Sequence, residues 1–199
     1  EDEHIQIGTG SREKIHWHVE DAFSAFRARY IGLLCLRNPD GTATTYSVPD
    51  LTRVSASSRE ILLREEFFIE PDHSQAQTCA EVPDWCLPKS RRIAVLGGGE
   101  QGCELRIDPY FMPEDKLAAE SRAALAELSS EIESATKEVV LQPGDCLFLD
   151  NAHSVHGRLP FTPRYDGTDR WLKRINIAAR GSLAHANQVC ATTIACLPN

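Results

Sequence analysis

Runs of apolar and polar positions divide the chain into short, mostly β-favouring segments. Tyr30 to Arg37 has the apolar, β-favouring makeup of a buried strand, and Asn38-Pro39-Asp40-Gly41 carries turn residues leading into the β-favouring Thr42 to Val48. Together these predict a hairpin. Ser58 to Phe67 has a polar start suited to capping and Ile61, Leu62 and Glu65 at helical spacings, which predicts a short helix; Phe67-Phe68-Ile69 then turns strand-like. Arg92 to Leu96 and Cys103 to Ile107 flank Gly97-Gly98-Gly99 and predict a second hairpin with the glycines at its bend. The clearest helix is expected over Pro113 to Ala135, where Leu117, Leu125, Leu128 and Ile132 recur near one face and Glu114 and Asp115 suit its N-terminal end. Glu138 to Leu141, Cys146 to Leu149 and Trp171 to Ala179 read as further strands, with Pro143-Gly144-Asp145 as a turn. Many short strands and few helices predict a mainly β fold, a sandwich or jelly roll with flanking helices.

From Pro71 to Ser90 the pattern lapses into a polar stretch broken by Pro71, Pro83 and Pro88, expected to be a long surface loop and a candidate lid over a site. No repeat and no long linker divides the chain, so residues 1–199 read as one domain. The chain opens without methionine and its first suggestive motif falls within twenty residues, which leaves open an upstream segment.

Composition narrows the partners. With 199 residues, 42% hydrophobic and 25% charged, the chain can bury a substantial core. A formal charge of -8 disfavours nucleic acid and anionic membranes and makes a small molecule the expected partner. The longest apolar run, Ile31 to Leu36, falls far short of the ~20 residues a membrane helix needs. Seven cysteines form an odd set without CxxC spacing, which points away from a disulfide framework and towards a reducing, cytoplasmic setting. Oligomeric state is not legible.

His18-Val19-Glu20 places an imidazole and a carboxylate two positions apart, on one side of an extended segment. Such triplets are common by chance, and the bland reading is a polar strand end. A third ligand is needed, and His156, after the strand Cys146 to Leu149 and a turn, can supply it. Two histidines and a carboxylate make a facial triad that leaves three metal positions open. His16, on the same face as His18, and His153, three residues before His156, are not excluded by spacing.

His18-Val19-Glu20-Asp21-Ala22-Phe23, Leu36-Arg37-Asn38-Pro39-Asp40, the string Pro143 to Asn151, His156-Gly157-Arg158 and the string Phe161 to Leu172 together resemble the clavaminate synthase-like iron(II)/2-oxoglutarate-dependent oxygenases, in their amino-acid hydroxylase branch. The resemblance covers nearly all of the chain from His16 to Ala179. It implies a double-stranded β-helix with Fe(II) on His18, Glu20 and His156, and leaves His16 and His153 as supporting residues. It further implies that 2-oxoglutarate and O2 are consumed while a free amino acid, or a molecule derived from one, is hydroxylated in specialised metabolism such as antibiotic biosynthesis. Arg170 falls where the family binds the distal carboxylate of 2-oxoglutarate, a task suited to a planar, permanently charged donor. Thr45 is taken as the accompanying threonine, with Thr44 as its neighbour one register away. Arg174, on the same strand face as Arg170, matches the arginine that contacts the substrate α-carboxylate, and Asp108 matches an acidic substrate contact. Tyr110 departs from the second acid of arginine-hydroxylating relatives and puts arginine itself in doubt. Glu70, Asp72 and Ser74 are weaker candidates in and beside the lid. Glu20 favours hydroxylation over halogenation, because related halogenases vacate the carboxylate position. Oxidative cyclisation or desaturation uses the same ligands and stays open, as does a non-oxidative jelly-roll protein that binds metal or sugar.

Overall fold

The computed structural model describes residues 12–24, 27–70, 90–99, 102–178 and 194–195. The fold is mainly β. One four-stranded sheet has the order β1 (Ile15–His18), β10 (Val155–Arg158), β3 (Thr44–Ser47), β8 (Lys137–Val139). The other has the order β12 (Ile194–Ala195), β11 (Trp171–Ile177), β2 (Tyr30–Arg37), β9 (Cys146–Asp150). Two hairpin-like pairs, β4 (Phe67–Ile69) with β5 (Arg91–Ile93) and β6 (Leu96–Gly99) with β7 (Gly102–Leu105), complete the strands.

Alternation within the strands separates two interiors. Ile31, Leu33 and Cys35 of β2 and Leu149 of β9 point towards the first sheet and form a small core with Ala28, Leu141, Tyr46, Val139, Leu147 and Leu172. On the far side of the first sheet, Trp17 and Val155 join a larger core. It also takes in Leu62 of helix α1 (Ala56–Leu62) and Ala124, Leu125, Leu128 and Ile132 of helix α2 (Ala119–Ser134). The helices therefore back the first sheet, while the space between the sheets is left for polar side chains at one end.

The expected hairpin over residues 30–48 does not form. β2 pairs with β11 and β9, whereas β3 pairs with β10 and β8 in the other sheet. Asn38 explains the change of course: its amide donates to the Thr42 and Leu141 carbonyls at 3.1 Å each, and its oxygen accepts from Thr42 N at 3.0 Å. Those bonds satisfy the bend internally and carry the chain across to the second layer. The glycine run also differs from expectation. Gly97-Gly98-Gly99 lie in β6, paired with residues of β7, and the segment before them splits so that Arg91–Ile93 pairs with β4 instead. The long helix begins at Ala119 rather than Pro113, because Leu117 and Ala118 are extended and Leu117 is buried, after a separate 3-10 turn at Glu114–Lys116. The strand at Tyr30–Arg37 has the bounds its composition predicts. The candidate lid over 71–90 lies, except for Ser90, outside the described residues, as do Asp72 and Ser74. No described helix is long and apolar enough to cross a membrane. Among the described residues Cys35, Cys103 and Cys146 are free thiols.

Candidate active site

Strand pairing brings the distant ligands together. β1 runs antiparallel to β10 with His18 opposite His156, so both imidazoles emerge at one level of the sheet, ring centroids 4.6 Å apart. The strand ends at His18, and the chain turns through Glu20 and Asp21, the latter at φ 53°. Asn151 holds this turn from both sides: its carbonyl accepts from Glu20 N at 2.8 Å, and its amide donates to the Glu20 carbonyl at 3.1 Å and the Ala28 carbonyl at 2.9 Å. A second tie runs from Val19 N to the Ile107 carbonyl at 2.8 Å.

The result is a buried carboxylate between two imidazoles. Glu20 Oε2 lies 3.8 Å from His18 Nε2 and 3.6 Å from His156 Nε2. Among the described residues these three are the group of donors close enough to hold one metal ion, all within 4.8 Å of one another. His16 and His153 are not in it. His16 is exposed on β1, and His153 pairs through Nδ1 with Asp150 at 2.9 Å and faces Arg29 at 3.3 Å.

The donor set suits a divalent ion on two further grounds. His18 Nδ1 lies 2.9 Å from the His16 carbonyl, which can only accept, so Nδ1 carries the hydrogen and Nε2 is left to bind. Glu20 Oε2 is buried without a hydrogen-bond partner, an expensive state for a carboxylate oxygen unless a cation completes it. Burial by itself disfavours the charged form of His18, but the Glu20 carboxylate beside it and the negative charge of Asp108 lift the imidazole to about 9. Burial and the neighbouring His18 charge push His156 down. Burial opposes ionisation of Glu20, but both histidines and Arg174 outweigh it and hold the carboxyl well below its usual range.

Two guanidinium groups lie beside the triad, further along the same sheet face. Arg170 enters from the segment before β11, and its Nη2 donates to Thr44 Oγ1 at 2.9 Å. The threonine reaching Arg170 is thus Thr44 and not Thr45, and the register gives the reason. Thr44 sits opposite Arg158 and shares the face of His156, whereas Thr45 sits opposite Gly157 on the face turned to the helices. Arg170 Nε is buried and unbonded, so the guanidinium keeps donor capacity for an anion. Arg158 contributes a second buried guanidinium, its Nη2 donating to the Glu13 carbonyl at 2.8 Å and its plane over Phe161 at 4.6 Å. Burial and the charge of Arg170 bring Arg158 down to about 10.

Arg174 faces the same interior from β11, and its Nη1 donates to Glu20 Oε1 at 2.5 Å. Asp108 follows the Ile107 carbonyl that receives Val19 N; its Oδ1 accepts from Tyr110 N at 3.2 Å and its charge reaches His18. Arg174 and Asp108 therefore both border the triad. Tyr110 is half exposed, and Glu70 is engaged by Lys116 at 3.0 Å. Asn151 and Arg158 stand in the strings that carry the family resemblance, yet residue reading assigned them no role. A buried polar residue at the end of an apolar strand was the available signal.

This geometry agrees with what the chain is similar to. An enduracididine beta-hydroxylase of Streptomyces hygroscopicus is 41% identical over 208 residues, covering 96% of this chain and 61% of the relative. An L-ornithine/L-arginine 3-hydroxylase of Catenulispora acidiphila is 37% identical over 204 residues, covering 92% of this chain and 59% of the relative. The crystal structure of the non-heme iron oxygenase OrfP in complex with Fe, succinate and (3S)-hydroxy-L-Arg superposes with a TM-score of 0.83 at 36% identity, covering 96% of this chain and 60% of that one. The chain spans about three fifths of the length of these proteins. The model of the taurine catabolism dioxygenase TauD, TfdA family matches residues 1–176, and the chain belongs to that family.

Proposed function

We propose that this chain carries the catalytic centre of an iron(II)/2-oxoglutarate-dependent hydroxylase acting on a free amino acid, or a close derivative, with a polar or basic side chain. The observation that carries this reading is the pairing of an incompletely satisfied His18–Glu20–His156 cluster with the bonded Arg170–Thr44 pair a short way along the same sheet face. The two opposed sheets support a double-stranded β-helix, while the lack of a long linker and the odd cysteine set support one oxygenase domain over residues 1–199 in a cytoplasmic setting.

His18, Glu20 and His156 would hold Fe(II) through Nε2, Oε2 and Nε2. When bound, Fe(II) with 2-oxoglutarate and O2 supplies the oxidant that places one oxygen atom in a substrate C–H bond, the cosubstrate leaving as succinate and carbon dioxide. Arg170 would receive the distal carboxylate of 2-oxoglutarate through charge-assisted bonds, with Thr44 rather than Thr45 fixing the guanidinium. Arg174 would take the substrate α-carboxylate and Asp108 a cationic or polar group at its other end. Burial of Glu20 and His156 keeps bulk water from competing for the ligands. Relatives hydroxylating enduracididine, ornithine or arginine support a basic amino acid or a cyclic guanidine as substrate.

The test is a mass-spectrometric screen of free amino acids with iron(II), ascorbate and 2-oxoglutarate, succinate being followed in parallel. A product heavier by one oxygen atom is expected. A product lighter by two hydrogens would establish cyclisation or desaturation, and oxidation of only a sugar or hydrocarbon would reject the amino-acid reading.

A further inference from the structure

The two oxygens of Glu20 are not equivalent. Oε1 accepts from Arg174 Nη1 at 2.5 Å, while Oε2 is buried, unbonded and turned to the two imidazole Nε2 atoms. A carboxylate free at both oxygens can chelate a divalent ion through both, which would fill a further position on it. A carboxylate with one oxygen held by a guanidinium offers the other alone.

We propose that Arg174 is a positioning residue that caps Glu20 Oε1 and so confines Glu20 to one-oxygen coordination, which would leave a bound ion the three open positions that a bidentate keto acid and O2 need together. The inference rests on the metal-site reading above and adds a role to a residue otherwise assigned to substrate. Three features support it. Arg174 stands opposite Leu33 on β11, and its Cα is fixed by pairing along β2, so the guanidinium approaches from a rigid sheet. Asn151 separately fixes the backbone of Glu20, so the cap is not needed merely to keep Glu20 in place. The Arg174 side chain is about half exposed (47%), which leaves its outer nitrogens open to a substrate carboxylate while Nη1 stays on Glu20. One guanidinium would then touch the metal ligand and the substrate together.

Co(II), whose visible spectrum responds to coordination number, is the probe, added to the wild type, Arg174→Met and Arg174→Lys before and after 2-oxoglutarate. In the wild type Co(II) should bind and its spectrum should change again on adding the keto acid. In Arg174→Met, Co(II) should bind at least as tightly, since a nearby cation is gone. Its spectrum should already differ before the keto acid arrives, and 2-oxoglutarate affinity should fall about tenfold. Arg174→Lys, which keeps a cationic donor, should return the spectrum and most of the affinity. A Co(II) spectrum of Arg174→Met identical to the wild type overturns the proposal even if 2-oxoglutarate binds less well, and so does weakened Co(II) binding or a lysine variant that behaves like the methionine one. Failure of wild-type Co(II) to bind at all, or binding that survives His156→Ala unchanged, would instead reject the metal site itself.

Discussion

His156 and Glu20 place their donor atoms in a setting where, among the described residues, no other metal-binding side chain joins the cluster to take over their work. Truncation of either leaves two donors on a buried cluster, and iron affinity should drop steeply for Glu20→Ala and His156→Ala, read by anaerobic titration and by loss of the weak visible band that appears when iron(II) and 2-oxoglutarate combine. Arg170 acts at a different point. Arg170→Ala should leave iron binding intact and raise the 2-oxoglutarate requirement by at least ~10-fold, because a bond to a charged group contributes roughly 1.5–3 kcal/mol. Thr44→Val should raise it more modestly, and Thr45→Val should not, since only Thr44 reaches Arg170. The residue scale was the most legible part of the sequence. Side-chain type restricts metal and carboxylate chemistry to few candidates, and the strings around His18, Glu20, His156 and Arg170 narrowed those further. Which of Thr44 and Thr45 faces Arg170 was not legible, because adjacent residues in a strand face opposite ways and one residue of register decides which faces inward.

Among the elements, β1 and β10 meet without room to spare. A Cβ added to Gly157 would lie 2.5 Å from the Ile15 carbonyl oxygen and 2.9 Å from Thr45 Oγ1, so even alanine must push β1 outward. Because β1 carries His18, Gly157→Ala should reduce stability by roughly 1–3 kcal/mol and weaken metal binding as well, the two being separable by denaturation with and without Co(II). The helices are locked differently. Glu127 of α2 accepts from Ser55 N at 2.7 Å, Ser55 Oγ at 2.9 Å and Ser58 Oγ at 2.5 Å, joining the N-terminus of α1 to its neighbour. Strand positions were readable from apolar runs and turn residues, but partners were not. A turn-like Asn38-Pro39-Asp40-Gly41 specifies that the chain bends and not which sheet it rejoins; that is decided by the Asn38 contacts to Leu141, far along the chain. The glycine triplet misled for a related reason: glycine permits a bend without requiring one, and here β7 supplies a partner.

Across the whole molecule, Arg29 gathers separate elements, donating to Glu104 of β7 at 3.0 Å and to Asp150 of β9 at 3.1 Å. Burial alone would raise the Asp150 carboxyl, yet His153, the Ala152 amide and Arg29 together hold it below its usual value. A carboxyl with a lowered folded value stabilises the fold above its unfolded value, and that contribution is lost as pH falls through the folded one. Denaturation near neutral pH should therefore find Asp150→Asn less stable by up to about 1 kcal/mol, water screening this partly exposed group. The gap should close as acid is added below the ordinary aspartate value of about 3.9.

Asn151 and Glu20, which bond each other beside the triad, are 131 residues apart in sequence. An ion shared by His18, Glu20 and His156 would therefore act as a clasp on the edge strand β1, binding the folded chain and not the unfolded one. At about one hundred times its dissociation constant it would add about 2.7 kcal/mol to stability. Limited proteolysis with and without Co(II) should show protection of residues 12–24, and its absence would disprove the clasp. With such a clasp, the lifetime of the protein in a cell would rise and fall with the supply of metal, making iron scarcity a signal for its removal as well as a limit on its turnover.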